Sequence, residues 1–228
     1  LLSSWGVAFE GVDVEAQPDR MHDLRRLGIP LVPATVIGDR FVHGWNPEGL
    51  ASLVGVTYVG GPRLAPSVLA QRLDRILAAA QRVVRTMPPG GLDAKSPDRD
   101  RTARQLAFHV FRLSAAFVDA REQGRFPESW LQEAAPSSMQ DAEDLIAYGD
   151  RVRARLAEWS RRDGWCDGDV DTYYGPQSAH QLFERTTWHA AQHVRQLSWF
   201  LERLGVEPTA SLEAEDFRGL PMPRDVWS

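Results

Sequence analysis

One cysteine, Cys166, is all that the chain holds in 228 residues. No internal disulfide framework can form, and a reducing cytoplasm is the expected setting. No apolar run approaches the ~20 residues that a membrane-spanning helix needs, and a secretory leader is not expected. Positive charge is also in short supply. Lys and Arg number 26 against 31 Asp and Glu, a net charge of −5 with no basic stripe or arginine-rich arm. Nucleic acid is therefore not an expected partner. Internal repeats and low-complexity tracts are missing too. What is present is an ordinary mixture, 43% hydrophobic and 25% charged. That composition suits a soluble protein of one large domain, or a small one followed by a medium one.

Two segments are written in different patterns. Residues 1–57 alternate short strands and helices. A strand is expected over 7–14, and a helix over 18–27, opened by Pro18 and closed by Gly28. A hairpin is expected at 34–37 and 40–43 across Gly38-Asp39. Asn46 then caps a short helix through Val54, with Pro47 in its first turn. Residues 58–65 read as a linker. From Pro66 onward, apolar residues recur at three-and-four spacing over 68–87, 98–123, 139–163 and 178–204. Pro88-Pro89-Gly90-Gly91 separates the first two stretches, and longer loops at 124–138 and 164–177 separate the others. The expected fold class is α+β: a four-helix bundle over 66–205, preceded by a smaller α/β segment. A tail over 206–228 drapes on the bundle.

Three histidines carry the chemistry. His189 and His193 stand four residues apart, which puts both rings on one helix face about one turn from each other. With Leu182, Thr186, Leu197, Phe200 and Leu204 they fall within roughly an 80° arc at 100° per residue. They lie in the core-facing stripe, where an unpaired imidazole is costly. His109 lies beside Leu106 and Leu113 near the edge of a second such stripe. Imidazoles from two helices meeting in a bundle core can share a metal ion at ~2.0–2.1 Å per bond, with a position left open. The plainer alternative, for the His189/His193 pair alone, is a set of buried histidines satisfied by backbone carbonyls.

The stretch Leu106-Ala107-Phe108-His109-Val110, together with His189-x-x-x-His193-x-x-Gln196-Leu197, resembles the DinB/YfiT-like metalloenzyme superfamily over residues 66–205. The resemblance implies a four-helix bundle in which His109, His189 and His193 bind a divalent metal, often zinc or nickel. It also implies a reaction class, since relatives include isomerases and S-transferases that use mycothiol or bacillithiol. Residues 1–57 resemble a glutaredoxin of the NrdH-like kind through Gly28-Ile29-Pro30-Leu31-Val32-Pro33, Val36-Ile37-Gly38-Asp39 and Gly44-Trp45-Asn46-Pro47. That likeness implies a partial thioredoxin fold in which the proline matching Pro33 is cis. The family's Cys-x-x-Cys and first strand would lie upstream of Leu1, so a longer natural chain is expected. The segment as given cannot do dithiol chemistry.

Three neutral imidazoles leave a dication's charge uncancelled, so a water or a substrate thiol on it is acidified toward neutral pH. Zinc suits the donors best, and nickel, iron and manganese accept the same set. The first expectation is an enzyme acting on a small molecule with a low-molecular-weight thiol. The alternatives are a hydrolase that activates water on the metal, and a non-catalytic metal- or redox-responsive module. A bundle with an exposed apolar edge is also compatible with a homodimer. Glu184, Asp119 and Gln196 are candidates to hold the ligands' second ring nitrogens. His22 and His43 read as surface or turn residues, and His180 as a capping or solvent residue. Cys166 reads as incidental rather than nucleophilic. Trp159, Trp165, Trp188 and Trp199 read as core packing, and Arg112 and Arg195 as solvated flank residues.

Overall fold

The computed structural model describes residues 1–14, 17–29, 32–58, 64–97, 100–207, 212–223 and 225–227. The chain divides into two compact units, Leu1–Gly61 and Pro62–Trp227, with Ser228 grouped with the first.

The first unit follows its turn chemistry closely. Helix α1 spans Pro18–Arg26, with proline in its first turn, and stops where Gly28 takes a φ of 73°. Strands β1 (Ala34–Ile37) and β2 (Arg40–His43) pair antiparallel, Ile37 opposite Arg40, around Gly38 at a φ of 61°. Only glycine enters that left-handed region without strain. The Asn46 side chain accepts from the backbone N–H of Gly49 and opens α2 (Pro47–Val54). The Val32–Pro33 peptide is cis.

One element departs from expectation: residues 7–14 form no strand. A strand persists only when a neighbour takes up its backbone groups, and among the described residues of this unit the hairpin is the only ladder. Pro30 and Leu31, which carry part of the glutaredoxin-like motif, lie outside the described residues.

The second unit is built on α3 (Pro66–Thr86), α4 (Ala103–Gln123), α5 (Ala142–Trp159) and α6 (Ala179–Arg203). Both α3 and α4 pack against α5 and against α6, giving a four-helix core. Phe111, Phe117, Phe183 and Phe200 are among its fully buried side chains, each stabilising by about 2–3 kcal/mol through area removed from water. Two of the helices start later than periodicity suggests, because capping boxes fix their first turns. Thr102 and Gln105 bond each other's backbone N–H at the head of α4, and Asp141 and Asp144 do the same for α5. The earlier stretch at 98–99 lies outside the described residues. At its far end α5 stops at Trp159, not Asp163. The chain turns there, and the Trp159 indole N–H donates to the Trp165 carbonyl at 3.1 Å.

The two long connections hold a small sheet that periodicity does not reveal. Strand β3 (Arg125–Phe126) pairs parallel with β4 (Asp169–Thr172), which pairs antiparallel with β5 (Gly175–Ser178). Two-residue and glycine-proline strands are too short and too poor in β-branched residues to signal themselves. The sheet has a consequence for the helix that follows. Strand β5 ends on Ser178, whose hydroxyl accepts from the Gln181 backbone N–H and caps α6.

After α6 the chain folds back as a tail containing a short helix, α7 (Ala214–Phe217). Asp216 receives the Arg75 guanidinium of α3 at 2.8 Å, and Arg72 donates to the Arg218 carbonyl. The tail therefore lies along α3 as well as α6.

Candidate functional site

His109 occupies the second turn of α4, and His189 and His193 lie near the middle of α6. Their rings come together. Centroids are 5.4 Å apart for His109–His189, 5.1 Å for His109–His193 and 4.3 Å for His189–His193. One nitrogen from each ring lies within 4.8 Å of the other two, an arrangement that could hold a metal ion. Among the described residues no further Cys, His, Asp or Glu joins this cluster.

The donor set can be tested against what an ion requires. Three nitrogens at ~2.1 Å in tetrahedral array sit about 3.4 Å from one another. His189 Nε2 and His193 Nε2 are already 3.1 Å apart. The His109 nitrogen lies within 4.8 Å of both, and a side-chain rotation can draw it closer. The residues fit.

The protonation of His193 follows from its neighbours. Its Nδ1 is 2.6 Å from Gln196 Oε1, while Gln196 Nε2 donates to the Val226 carbonyl at 3.0 Å. A carbonyl only accepts, so the amide nitrogen of Gln196 must face Val226 and its oxygen must face the imidazole. Nδ1 of His193 therefore carries the proton, and Nε2 presents its lone pair to the cluster. The tail fixes this relay by more than one bond. Gln192 donates to the Val226 carbonyl at 2.7 Å, and Arg195 donates to the Pro223 carbonyl at 2.9 Å.

Charge around the cluster is positive. Burial holds His189 well below the ordinary imidazole range, and His193, His109, Arg185 and Arg101 push it the same way. The ring stays neutral, as a ligand must. Arg185 lies one helical turn before His189. Its guanidinium carbon sits 4.8 Å from the Tyr174 ring centroid, and it donates to the Tyr174 hydroxyl. Burial raises the Tyr174 hydroxyl pKa. The Trp188 ring meets His189 edge-on at 5.9 Å.

Several sequence expectations need correction. Asp119 does not serve the histidines: its two oxygens take Arg112 at 2.9 Å and Arg155 at 2.5 Å. Arg112 is no solvated flank residue. It is 9% exposed and also donates to Glu133 at 2.6 Å. Arg195 is half-buried and ties down the tail. Nor does His180 face solvent at the head of α6, since its Nε2 lies 2.7 Å from the Leu64 carbonyl. Glu184 is half-buried on α6.

Other expectations match what is seen. Trp159 and Trp165 pack into the core, Trp165 edge-on to Phe117 and Phe183. Trp199 packs on Phe200 and Trp227. Cys166 is buried, and burial pushes its thiol up to about 12, which removes it as a thiolate nucleophile.

Sequence reading missed Arg185 and Tyr174. The signal was there for Arg185, because it stands the same four residues before His189 that separate His189 from His193. Tyr174 sits in the turn between β4 and β5, and nothing in its local pattern connects it to α6.

In comparison with known proteins, the chain matches no family model, and no curated protein shows significant similarity to it.

Proposed function

We propose that the helical unit is a metal-dependent enzyme of the DinB/YfiT type, acting on a small molecule as a low-molecular-weight-thiol-dependent S-transferase or isomerase. His109, His189 and His193 are its ligands. The observation that carries this reading is the convergence of three imidazoles from α4 and α6, with no fourth candidate ligand among the described residues. Three protein donors and a free position are the mark of catalytic rather than structural sites. Zinc suits three histidines, and nickel, iron and manganese accept the same donors.

A divalent ion held there would acidify a bound thiol toward neutral pH. The chain's own residues do the rest. Gln196 and the Val226 carbonyl fix the ring of His193. Burial and the flanking arginines keep His189 unprotonated. Arg185, braced by Tyr174, contributes positive charge that favours a thiolate or carboxylate group over a neutral one. For residues 1–57, the glutaredoxin-like reading draws its support from the helix–hairpin–helix order of that unit.

The test begins with elemental analysis of the purified protein beside a variant with all three histidines replaced by alanine. Near-stoichiometric metal in the first and none in the second is expected. Metal-loaded protein given mycothiol, bacillithiol or glutathione with an electrophile should form thioether adduct, and chelation should abolish turnover. Unchanged turnover in His193→Ala would overturn the proposal. Thiol-independent cleavage of esters or amides would replace it with the hydrolase reading.

A further inference from the structure

On the α5 side of α4, away from α6 and its histidines, the second unit holds a cavity of about 520 Å³. Phe108, Arg112 and Asp119 reach it from α4, and Tyr148, Arg151 and Arg155 from α5. None of the three clustered histidines lines it. The separation follows from helical geometry, since 108, 112, 115 and 119 share one face of α4 and His109 lies about 100° round from Phe108. The volume falls in the range of roughly 300–1,000 Å³ that small-molecule sites occupy.

Its charges are not evenly matched. Arg112, whose side chain is 10% exposed, uses Nε for Glu133 and Nη1 for Asp119. The other oxygen of Asp119 is taken by Arg155, which also holds Glu122. Both carboxylates at the cavity are thus already paired with arginines. Arg151 is different: among the described residues it has no ion-pair partner. Its guanidinium carbon sits 5.7 Å from the Tyr148 ring centroid.

Tyr148 stacks on Phe108 at 5.6 Å, and its hydroxyl makes no hydrogen bond among the described residues. Burial raises its pKa, Arg112 and Arg151 oppose the rise, and Glu133 and Asp119 add to it, so it remains a donor. An unmatched cation and an unmatched hydroxyl thus stand beside an apolar floor of Phe108, Val152 and Met139. Of the two, the Tyr148 hydroxyl is half-buried, and a half-buried donor without an acceptor is costly until one arrives, while the Arg151 guanidinium is exposed and open to an anion from solvent.

The geometry points to a second binding site, for a small organic carboxylate with an aryl or alkyl body. Its carboxylate meets Arg151 and the Tyr148 hydroxyl, and its body lies over Phe108, Val152 and Met139. An inorganic anion would satisfy the donors but leave the apolar floor uncovered. The site stands independently of what the histidines hold.

Calorimetric titration of the full chain tests this with three probes: phenylacetate, its neutral analogue phenylacetamide, and inorganic phosphate. Phenylacetate should saturate a single site and bind more tightly than either of the others. Arg151→Gln and Tyr148→Phe should each weaken phenylacetate by about tenfold, the scale of one hydrogen bond to a charged group. Circular dichroism should show both variants folded. His109→Ala should bind phenylacetate as the parent does. Four results would overturn the proposal: no saturation at millimolar phenylacetate, full affinity in both variants, equal binding of phosphate, or loss of binding in His109→Ala. The last would place the ligand at the histidines instead.

Discussion

His193 Nδ1 lies 2.6 Å from Oε1 of Gln196, one turn along α6, and the far side of that amide is held by the Val226 carbonyl. The contact decides which imidazole nitrogen is available to the cluster. Without it the ring is free to rotate and to move its proton to Nε2. Gln196→Leu keeps the bulk and removes the acceptor, so metal affinity should fall by about 10- to 100-fold, the usual effect of losing a partner behind a histidine ligand. Competition against a chromophoric chelator measures it. Affinity equal to the parent protein's would mean that the relay does not orient His193.

Acid should weaken the metal-free protein through His189. Its folded pKa is depressed, chiefly by burial and further by His193, His109, Arg185 and Arg101. In the unfolded chain the same ring titrates near the ordinary value of about 6.5. Below that pH the unfolded state therefore binds a proton that the folded state refuses. Stability is at full strength above about pH 6.5 and declines as pH falls, by up to about 1.4 kcal/mol per pH unit for one such group. Urea midpoints of the metal-free protein between pH 8 and pH 5 should show this slope, and His189→Gln should flatten it. A slope that is the same in the variant would assign the acid sensitivity to other groups.

The sequence revealed those parts of the fold whose signals are local. Gly38-Asp39 places the hairpin, Asn46 and Pro47 open α2, and the spacing of His189 and His193 puts both rings on one face of α6. His109 could be added because its own helix is amphipathic in the same sense. Three things could not be read because their causes lie far apart in the chain. The parallel pairing of β3 with β4 joins residues more than forty positions apart and has no pattern of its own. The burial of Arg112 depends on Glu133, which lies in a loop. The tail's carbonyls find Gln192, Arg195 and Gln196 by tertiary contact alone. The strand expected at 7–14 failed for a related reason: propensity proposes a strand, but only a partner makes one.

Cys166 should be chemically quiet. Burial pushes its thiol up to about 12, the Arg121 charge opposes this only in part, and Asp167 adds to it. A free thiol near the ordinary value of about 8.5 is roughly a quarter ionised at pH 8. This one should react with a disulfide reagent on the order of a thousandfold more slowly. Labelling should become fast in urea, where the thiol is released. Cys166→Ala should leave any thiol-transfer activity intact. Rapid labelling of the native protein would show that the loop opens and would return Cys166 to consideration as a reactive group.

At Gly149, α5 comes close against Phe111 of α4 and Gln81 of α3. A Cβ built there would stand 2.8 Å from Phe111 Cε1 and 2.9 Å from the Gln81 amide nitrogen. Gln81 cannot withdraw freely: its amide donates to the Ile146 carbonyl at 2.9 Å and to Asp150 at 2.8 Å, and its oxygen receives Arg153 at 3.0 Å. Nor has Phe111 room to move, being fully buried. Alanine is favoured over glycine by about 1 kcal/mol inside a helix, and overpacking a tight core costs typically 1–3 kcal/mol. With a rigid ring on one side and a bonded amide on the other, the clash should win. Gly149→Ala is expected to lose about 1–2 kcal/mol of stability in urea denaturation. A stabilised variant would mean that α5 can slide away from Phe111, and that the Gln81–Asp150–Arg153 seam does not set the spacing of the bundle.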